Sequence, residues 1–211
     1  MAVKTKHRAT TRYIKGMLQL ATVADIEQGK QWYQRAYYLA VKLMHKYDGI
    51  TMGQCVGVIA ALSPNNKWER NCNDAEAMIK AWHNGADPTS VKVCTFNKNK
   101  DKAAQILALP DDFTTEDIES ILSGRKVCAF YRCIMGFTDT VCVDGHAYAI
   151  WLGERVPTTK TPSISPKLYE TISRAYVNTA DVSFQLIGEN LTPAQVQAVT
   201  WVTYRRLLGY N

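Results

Sequence analysis

The sequence predicts an all-α protein, and two kinds of pattern indicate this fold class. Apolar residues recur at three-to-four spacing in long segments, for example 25–47 and 124–135. Residues that start or stop helices separate such segments, with Thr192-Pro193 typical of a helix start and Pro64 typical of a helix end. A chain of 211 residues that is 46% hydrophobic can bury a sizeable core. We therefore expect residues 1–211 to form a single compact helical unit.

The predicted helices follow one another along the chain with short turns between them. The segment from Met52 to Leu62 is small and apolar, which favours a fully buried central helix. Residues 115–136 form a candidate helical hairpin, and residues 141–143 are expected to cross in extended form. The predicted helices cover residues 13–23, 25–47, 52–62, 68–82, 100–109, 115–122, 124–135, 146–152, 167–177 and 194–208, with a proline-containing loop at 154–166.

The charge of the chain favours a polyanionic partner. The formal net charge is +6 and the sequence pI is about 9.0. Clustered cations are suited to contact phosphates, although a solvated basic face is an equally open interpretation of each cluster. One cluster lies in a loop and the helix start that follows it, and it consists of Lys92, Lys98, Lys100 and Lys102. The other lies at the N-terminus and consists of Lys4, Lys6, Arg8, Arg12 and Lys15.

Several features exclude other classes of protein. No apolar run approaches the roughly 20 residues that a membrane span needs, and the basic N-terminus lacks the apolar stretch of a secretory signal. We therefore expect a cytoplasmic protein with no membrane partner. The six cysteines lack paired C-x-x-C spacing and are interpreted as reduced core thiols. The histidines and cysteines lack ligand spacing, so no metal site and no cofactor are predicted.

Asp144 and Lys126 are the candidate catalytic residues. Asp144 stands where a helix begins, so it is either an N-cap or a functional carboxylate. Lys126 lies eighteen residues earlier (144 − 126 = 18), near the start of the preceding helix. A helical hairpin could therefore bring the amine and the carboxylate to one cleft. The alternative for Lys126 is a phosphate-contacting or solvated lysine, and the alternative for His146 is a structural hydrogen bond to the backbone.

Short motifs in this region resemble the helix-hairpin-helix DNA glycosylase superfamily, of the endonuclease III type. Gly124-Arg125-Lys126 and Val143-Asp144-Gly145-His146 are similar to the family's Gly-Arg-Lys helix start and its Val-Asp-x-His run. The segment Ala61 to Asn66 resembles the family's Leu-Ser-x-Gln-type loop. Phe96-Asn97-Lys98, ahead of Lys102 to Ile106, resembles the entry to its next helix. The resemblance covers roughly residues 50–155.

The chain also departs from the family pattern. The family hairpin carries two glycines in Leu-Pro-Gly-x-Gly, whereas Ile121-Leu122-Ser123-Gly124 lacks the first. The four-cysteine iron–sulfur loop of many members has no counterpart here, and Ala149 stands where a basic residue is common. The resemblance therefore implies a divergent member without the cluster.

The resemblance implies a two-lobed helical fold of the helix-hairpin-helix glycosylase type with a cleft between the lobes. Family members build one lobe from the middle of the chain and the other from its two ends. The expected central lobe is about 50–140, and the expected second lobe consists of about 1–49 plus 141–211.

The resemblance also implies the activity and the partner. A DNA glycosylase flips a damaged or modified base out of the duplex and cleaves its N-glycosidic bond. Asp144 would be the catalytic carboxylate. A neutral Lys126 would attack C1′ and form a Schiff base, which gives lyase activity, whereas with a charged Lys126 water is the nucleophile and the enzyme only removes bases. We expect a monomer acting on DNA. The residues expected to contact DNA are Ser63, Asn65, Asn66, Lys67, Lys98, Lys100, Ser123, Gly124, Arg125, His146, Arg205 and Arg206.

Two other functions stay open at this point. The first is a DNA base hypermodification enzyme of the bacteriophage type, a transferase built on the same scaffold that acts on a modified pyrimidine. The second is a DNA-binding module without catalysis.

Overall fold

The structure, a computed structural model, describes residues 10–209, and every regular element in that range is helical. The predicted all-α fold class is therefore confirmed. Two short 3-10 helices, at Pro88–Ser90 and Thr158–Lys160, accompany the α-helices. The α-helices are α1 Arg12–Gln19, α2 Val23–Lys30, α3 Trp32–Lys46, α4 Met52–Leu62, α5 Trp68–His83, α6 Asn97–Leu107, α7 Thr115–Leu122, α8 Arg125–Met135, α9 Gly145–Leu152, α10 Pro166–Ala180, α11 Ser183–Ile187 and α12 Pro193–Leu207.

The predicted helices at 13–23 and 25–47 are wrong in their boundaries. The first ends at Gln19, because Thr22 opens α2 as an N-cap. The Thr22 hydroxyl accepts a hydrogen bond from the backbone N–H of Asp25 (3.2 Å), and the Asp25 carboxylate accepts one from the backbone N–H of Thr22 (2.8 Å). The second segment is two helices, since α2 ends before Gln31 and α3 begins after it. Helix α11 was not predicted.

The chain divides into two compact units. The first, called the central unit, is Tyr33–Gly136. The second, called the terminal unit, consists of residues 10–32 and 137–209 of the described chain. The sequence suggested a central lobe from about 50 to 140, whereas the central unit begins at Tyr33. The earlier start follows from α3, which contributes Ala36, Ala40 and Leu43 to the core of the central unit.

The core of the central unit surrounds α4. Every residue of α4 from Gln54 to Leu62 is buried, as its apolar sequence predicts. Helices α5, α6, α7 and α8 pack around it. The Gln54 side chain, which is polar, donates a hydrogen bond to the Ile106 carbonyl (3.3 Å). A buried polar group is therefore satisfied and ties α4 to α6.

The core of the terminal unit lies among α1, α9, α10 and α12. Helix α9 is apolar on all sides and is buried from Ala147 to Trp151. The residues that pack around it include Ile14 and Leu18 of α1, Tyr176 of α10 and Val199 of α12. Because the core encloses α9, the position of the first residue of this helix is fixed by its packing.

The cysteines do not all lie in the core. Cys55, Cys133 and Cys142 are buried, and burial raises the pKa of the Cys55 thiol to about 12. Cys94 is exposed, which corrects its predicted place among the core thiols, because the loop before α6 carries it to the surface. Within residues 10–209 no helix combines the length and the apolar character that crossing a membrane requires.

Candidate functional site

Asp144 is the N-cap of α9 and directly follows a buried segment, residues 141–143. Val141, Cys142 and Val143 are buried, as their apolar sequence predicts. The Tyr169 hydroxyl holds this segment from both sides: it donates to the Val141 carbonyl (2.9 Å) and accepts from the Val143 N–H (3.1 Å). The backbone that carries Asp144 is therefore fixed in place.

The Asp144 side chain is a helix N-cap, and it is half-buried. Its Oδ1 atom accepts a hydrogen bond from the backbone N–H of Ala147 at 2.7 Å. That is the one hydrogen bond that the Asp144 carboxylate makes among residues 10–209. The N-terminus of α9 favours a negative charge at this position. The N-cap interpretation is confirmed, and it leaves Oδ2 for a second contact.

An aromatic cluster lies close to the start of α9 within the terminal unit. It consists of Trp32, His146, Trp201 and Tyr204. The His146 ring contacts Trp201 and Tyr204 edge to face, with centroid distances of 6.4 and 5.8 Å. Trp32 and Trp201 are 4.8 Å apart between ring centroids. His146 was predicted to contact DNA or the backbone, and the structure adds this aromatic contact, which the sequence did not indicate.

The two arginines near the end of α12 differ in their surroundings. The Arg205 guanidinium lies over the Trp201 ring, 4.6 Å from its centroid. The Arg206 guanidinium donates to both carboxylate oxygens of Asp25, with Nε distances of 3.1 and 2.9 Å, and to the Leu20 carbonyl. A phosphate contact by Arg206 would therefore have to compete with an internal ion pair.

The predicted hairpin contains α7, a two-residue turn and α8. Thr114 and Asp117 form a capping box at the start of α7. Ser123 adopts a left-handed conformation with φ of 57°, and Gly124 is the N-cap of α8. The Lys102 ammonium donates to the Leu122 carbonyl and to the Ser123 hydroxyl, at 2.6 Å each. Lys102 therefore stabilises the turn, a role that the sequence did not indicate.

Arg125 and Lys126 are the first two residues of α8, and both are exposed. Ser123 is also exposed, so the turn and the helix start present polar and cationic groups on one stretch of surface. The positive end of the helix dipole lies at this same end of α8. This combination favours an anionic ligand.

The loop between α4 and α5 carries four of the residues predicted to contact DNA. The Ser63 hydroxyl donates to the Ala60 carbonyl (2.9 Å), which closes α4. Asn65 is exposed and left-handed, with φ of 57°. The Asn66 amide donates to the Asp74 carboxylate (2.9 Å), and its side-chain oxygen is buried without a hydrogen-bond partner in residues 10–209. Lys67 is exposed and begins α5.

The structure joins this loop to the segment before α6. The Asp74 carboxylate also accepts from the backbone N–H of Cys94 (2.9 Å), and the Thr95 hydroxyl donates to the Pro64 carbonyl (3.0 Å). The two loops border an open depression of about 300 Å³. Its lining residues are Asn65, Val93, Cys94, Thr95 and Phe96. We call this region the loop surface.

Cationic side chains and an exposed aromatic ring surround the loop surface. Phe96 is 58% exposed, and the Lys98 ammonium lies over its ring at 5.9 Å from the centroid. Lys100 donates to the Val91 carbonyl (3.4 Å). The Arg70 guanidinium donates to the Cys94 thiol (2.9 Å). The sequence indicated Asn65 and Lys98 separately, and the pairing of their loops depends on Asp74 and Thr95, whose contacts no local pattern reveals.

The predicted site residues are thus divided between the two units. The central unit holds the loop surface, the hairpin turn and Lys126. The terminal unit holds Asp144, His146, Arg205 and Arg206. Lys4, Lys6 and Arg8 of the basic N-terminal cluster lie outside the described residues. Among the residues that are described, no group of three or more His, Cys, Asp or Glu side chains is arranged to hold a metal ion.

Comparison with protein families gives one match. The model of the family DUF7178, a family of unknown function, matches residues 1–207. The chain belongs to this family. Comparisons with curated proteins and with solved structures gave no match.

Proposed function

We propose that this member of the DUF7178 family is a DNA glycosylase-like enzyme. It flips a damaged or modified base out of DNA and cleaves the N-glycosidic bond, acting as a monomer. The proposal includes the finer fold prediction, a two-lobed helix-hairpin-helix arrangement with a cleft. It starts from the sequence motifs, and the observation that carries it is the fixed, half-buried Asp144 carboxylate with one oxygen left for a ligand.

Asp144 acts on the sugar of the extruded nucleotide in this proposal. As the bond between C1′ and the base nitrogen breaks, positive charge develops at C1′, and a nearby carboxylate stabilises it. Water then forms the new bond to C1′, and the departing base takes up a proton. Because the Tyr169 hydroxyl and the Ala147 N–H fix the position of Asp144, little reorganisation is needed during the reaction.

The hairpin turn and the loop surface hold the DNA in this proposal. Arg125 and Lys126 at the start of α8 contact a phosphate, and Lys67 and Lys98 contact others. The exposed position of Lys126 favours this phosphate contact. If Lys126 instead attacks C1′, a Schiff base forms and strand cleavage follows. Asn65 and Phe96, which line the open depression, contact bases in this proposal.

The experiment incubates the protein with duplex oligonucleotides that contain a panel of modified bases. Release of a free base, detected by mass spectrometry, is the expected result. A mass gain on intact DNA would instead identify a base-modifying transferase, and binding without any change would identify a binding module. Borohydride trapping in the same reactions tests Lys126: a covalent adduct lost in Lys126→Ala assigns the Schiff base to this residue, whereas an adduct that survives removes Lys126 from that role.

A further inference from the structure

Helix α3 presents a basic and aromatic stripe to solvent. Its 15 residues, WYQRAYYLAVKLMHK, include no aspartate and no glutamate. Arg35, Tyr38, Lys42 and His45 follow the spacing i, i+3, i+7 and i+10, which places them on one helix face. All four are exposed. We call these four residues the α3 stripe.

The orientation of the α3 stripe is fixed by the opposite face of the helix. Ala36, Ala40 and Leu43 lie in the core of the central unit and are at most 3% exposed. Helix α3 cannot rotate without removing these residues from the core. The stripe is therefore a fixed surface and its charges share one direction.

Tyr38 is an exposed aromatic residue of the α3 stripe. It is 54% exposed, and the neighbouring Tyr37 is 37% exposed. The two rings pack edge to face with centroids 6.2 Å apart, and the Gln34 amide donates to the Tyr38 hydroxyl (3.4 Å). Aromatic rings with a polar end that stay at the surface are typical of binding surfaces. The place of Tyr38 within a cationic stripe indicates a partner that carries negative charge.

We infer that the α3 stripe is a second contact surface for the sugar-phosphate backbone of DNA, formed by residues other than those of the loop surface and the hairpin. Arg35 and His45 are ten helical steps apart, so the stripe is about 15 Å long. One DNA strand carries a charge about every 3.4 Å, so the stripe covers about four phosphates. Arginine, lysine and tyrosine side chains are common phosphate contacts. The inference rests on the proposed function for the identity of the partner as DNA.

A lipid surface fits the stripe less well. A helix that binds in the membrane interface inserts an apolar face between the lipids. The apolar face of α3 is already used in the protein core. The stripe thus offers charge and aromatic rings but no insertable apolar face.

The test measures the affinity of the full chain for an unmodified duplex of about 20 base pairs by fluorescence anisotropy, across a range of salt concentrations. The variant is Arg35→Gln with Lys42→Gln. The slope of log affinity against log salt should fall by about 2, about 1 for each lost phosphate contact. Affinity at low salt should fall at least about tenfold. Tyr38→Ala should weaken binding several-fold and leave the slope unchanged, because tyrosine carries no charge.

The matched control is Lys160→Gln with Lys167→Gln. Both lysines are exposed and lie in the terminal unit. Their substitution changes the net charge by the same amount as the stripe variant does. The control should keep the slope of the wild type. If the stripe variant binds like the control, the inference is overturned while the proposed function stands. If the wild type binds no duplex, both the inference and the proposed function are contradicted. If the stripe variant binds phosphatidylglycerol vesicles more weakly than the wild type but binds DNA as the wild type does, the stripe is assigned to a lipid surface and the inference is overturned.

Discussion

Two aspartates that take part in helix capping in the terminal unit have different surroundings. Asp25, at the start of α2, is 4% exposed, and its carboxylate accepts hydrogen bonds from Arg206 and from the Thr22 backbone. Asp144, at the start of α9, is half-buried and accepts one hydrogen bond, from the Ala147 N–H. Both oxygens of Asp25 are used within the protein, whereas Asp144 uses one.

The difference separates a stabilising carboxylate from one that is suited to a ligand. Asp25 pairs with Arg206, which lies 181 positions later in the sequence, so the pair ties α2 to α12. The contacts of Asp144 are local to its own helix start. A capping motif alone does not reveal which role a carboxylate has. The decisive information is the number of its oxygens that the folded protein already uses.

The largest expected effect on stability is that of Asp25→Ala. The substitution removes a buried partner of Arg206 and the capping box of α2, and we expect a loss of about 3 kcal/mol in the free energy of unfolding. Chemical denaturation measures it. Asp181→Ala is the control, because Asp181 is exposed and its loss should change stability by less than about 0.5 kcal/mol. A similar small effect at Asp25 would contradict the stabilising role.

A smaller loss is expected where α2 packs on α12. A Cβ atom at Gly29 would lie 2.5 Å from the Val199 Cα atom, so the backbone must shift. Gly29→Ala should destabilise the protein by about 2 kcal/mol in thermal or chemical unfolding. Gly16→Ala in α1 is the matched control. Its new methyl group meets no atom within 4 Å, and it should stabilise the protein by about 0.5 kcal/mol. Tolerance of alanine at both positions would show that α2 is not packed closely.

The smallest expected effect is a pH dependence at Asp25. Burial raises the pKa of this carboxyl, but hydrogen bonds from Arg206 and Thr22 outweigh burial and hold the pKa below its ordinary value of 3.8. A lowered pKa in the folded state stabilises the protein above pH 3.8, and this contribution is lost as the pH falls through the folded value. The stability difference between wild type and Asp25→Asn should therefore be larger at about pH 7 than at about pH 3. A difference that grows in acid would reverse the sign and contradict the ion pair.

The helices were largely predictable because their signals are local. The apolar run of α4 and the cap at Asp144 are visible within a few residues, and both predictions are confirmed. The Thr22 capping box was also present in the sequence, yet the apolar spacing of 25–47 concealed the break at Gln31. Element type was therefore easier to predict than element boundaries.

The surroundings of the candidate site were less predictable because they depend on distant contacts. Nothing near Asp25 indicates Arg206, and nothing near Asn65 indicates Thr95 or the depression that they help to form. The exposure of Tyr38 likewise depends on which face of α3 the core covers. Such pairings arise only when the whole unit folds.

The measurement that tests the role of Asp144 most directly is base release by Asp144→Asn. Asparagine caps a helix about as well as aspartate, so the fold and the start of α9 should be retained while the charge is lost. We predict that turnover falls at least about 100-fold while DNA affinity stays within several-fold of the wild type. Wild-type turnover in Asp144→Asn would show that this carboxylate only caps α9, and would contradict its proposed role in catalysis.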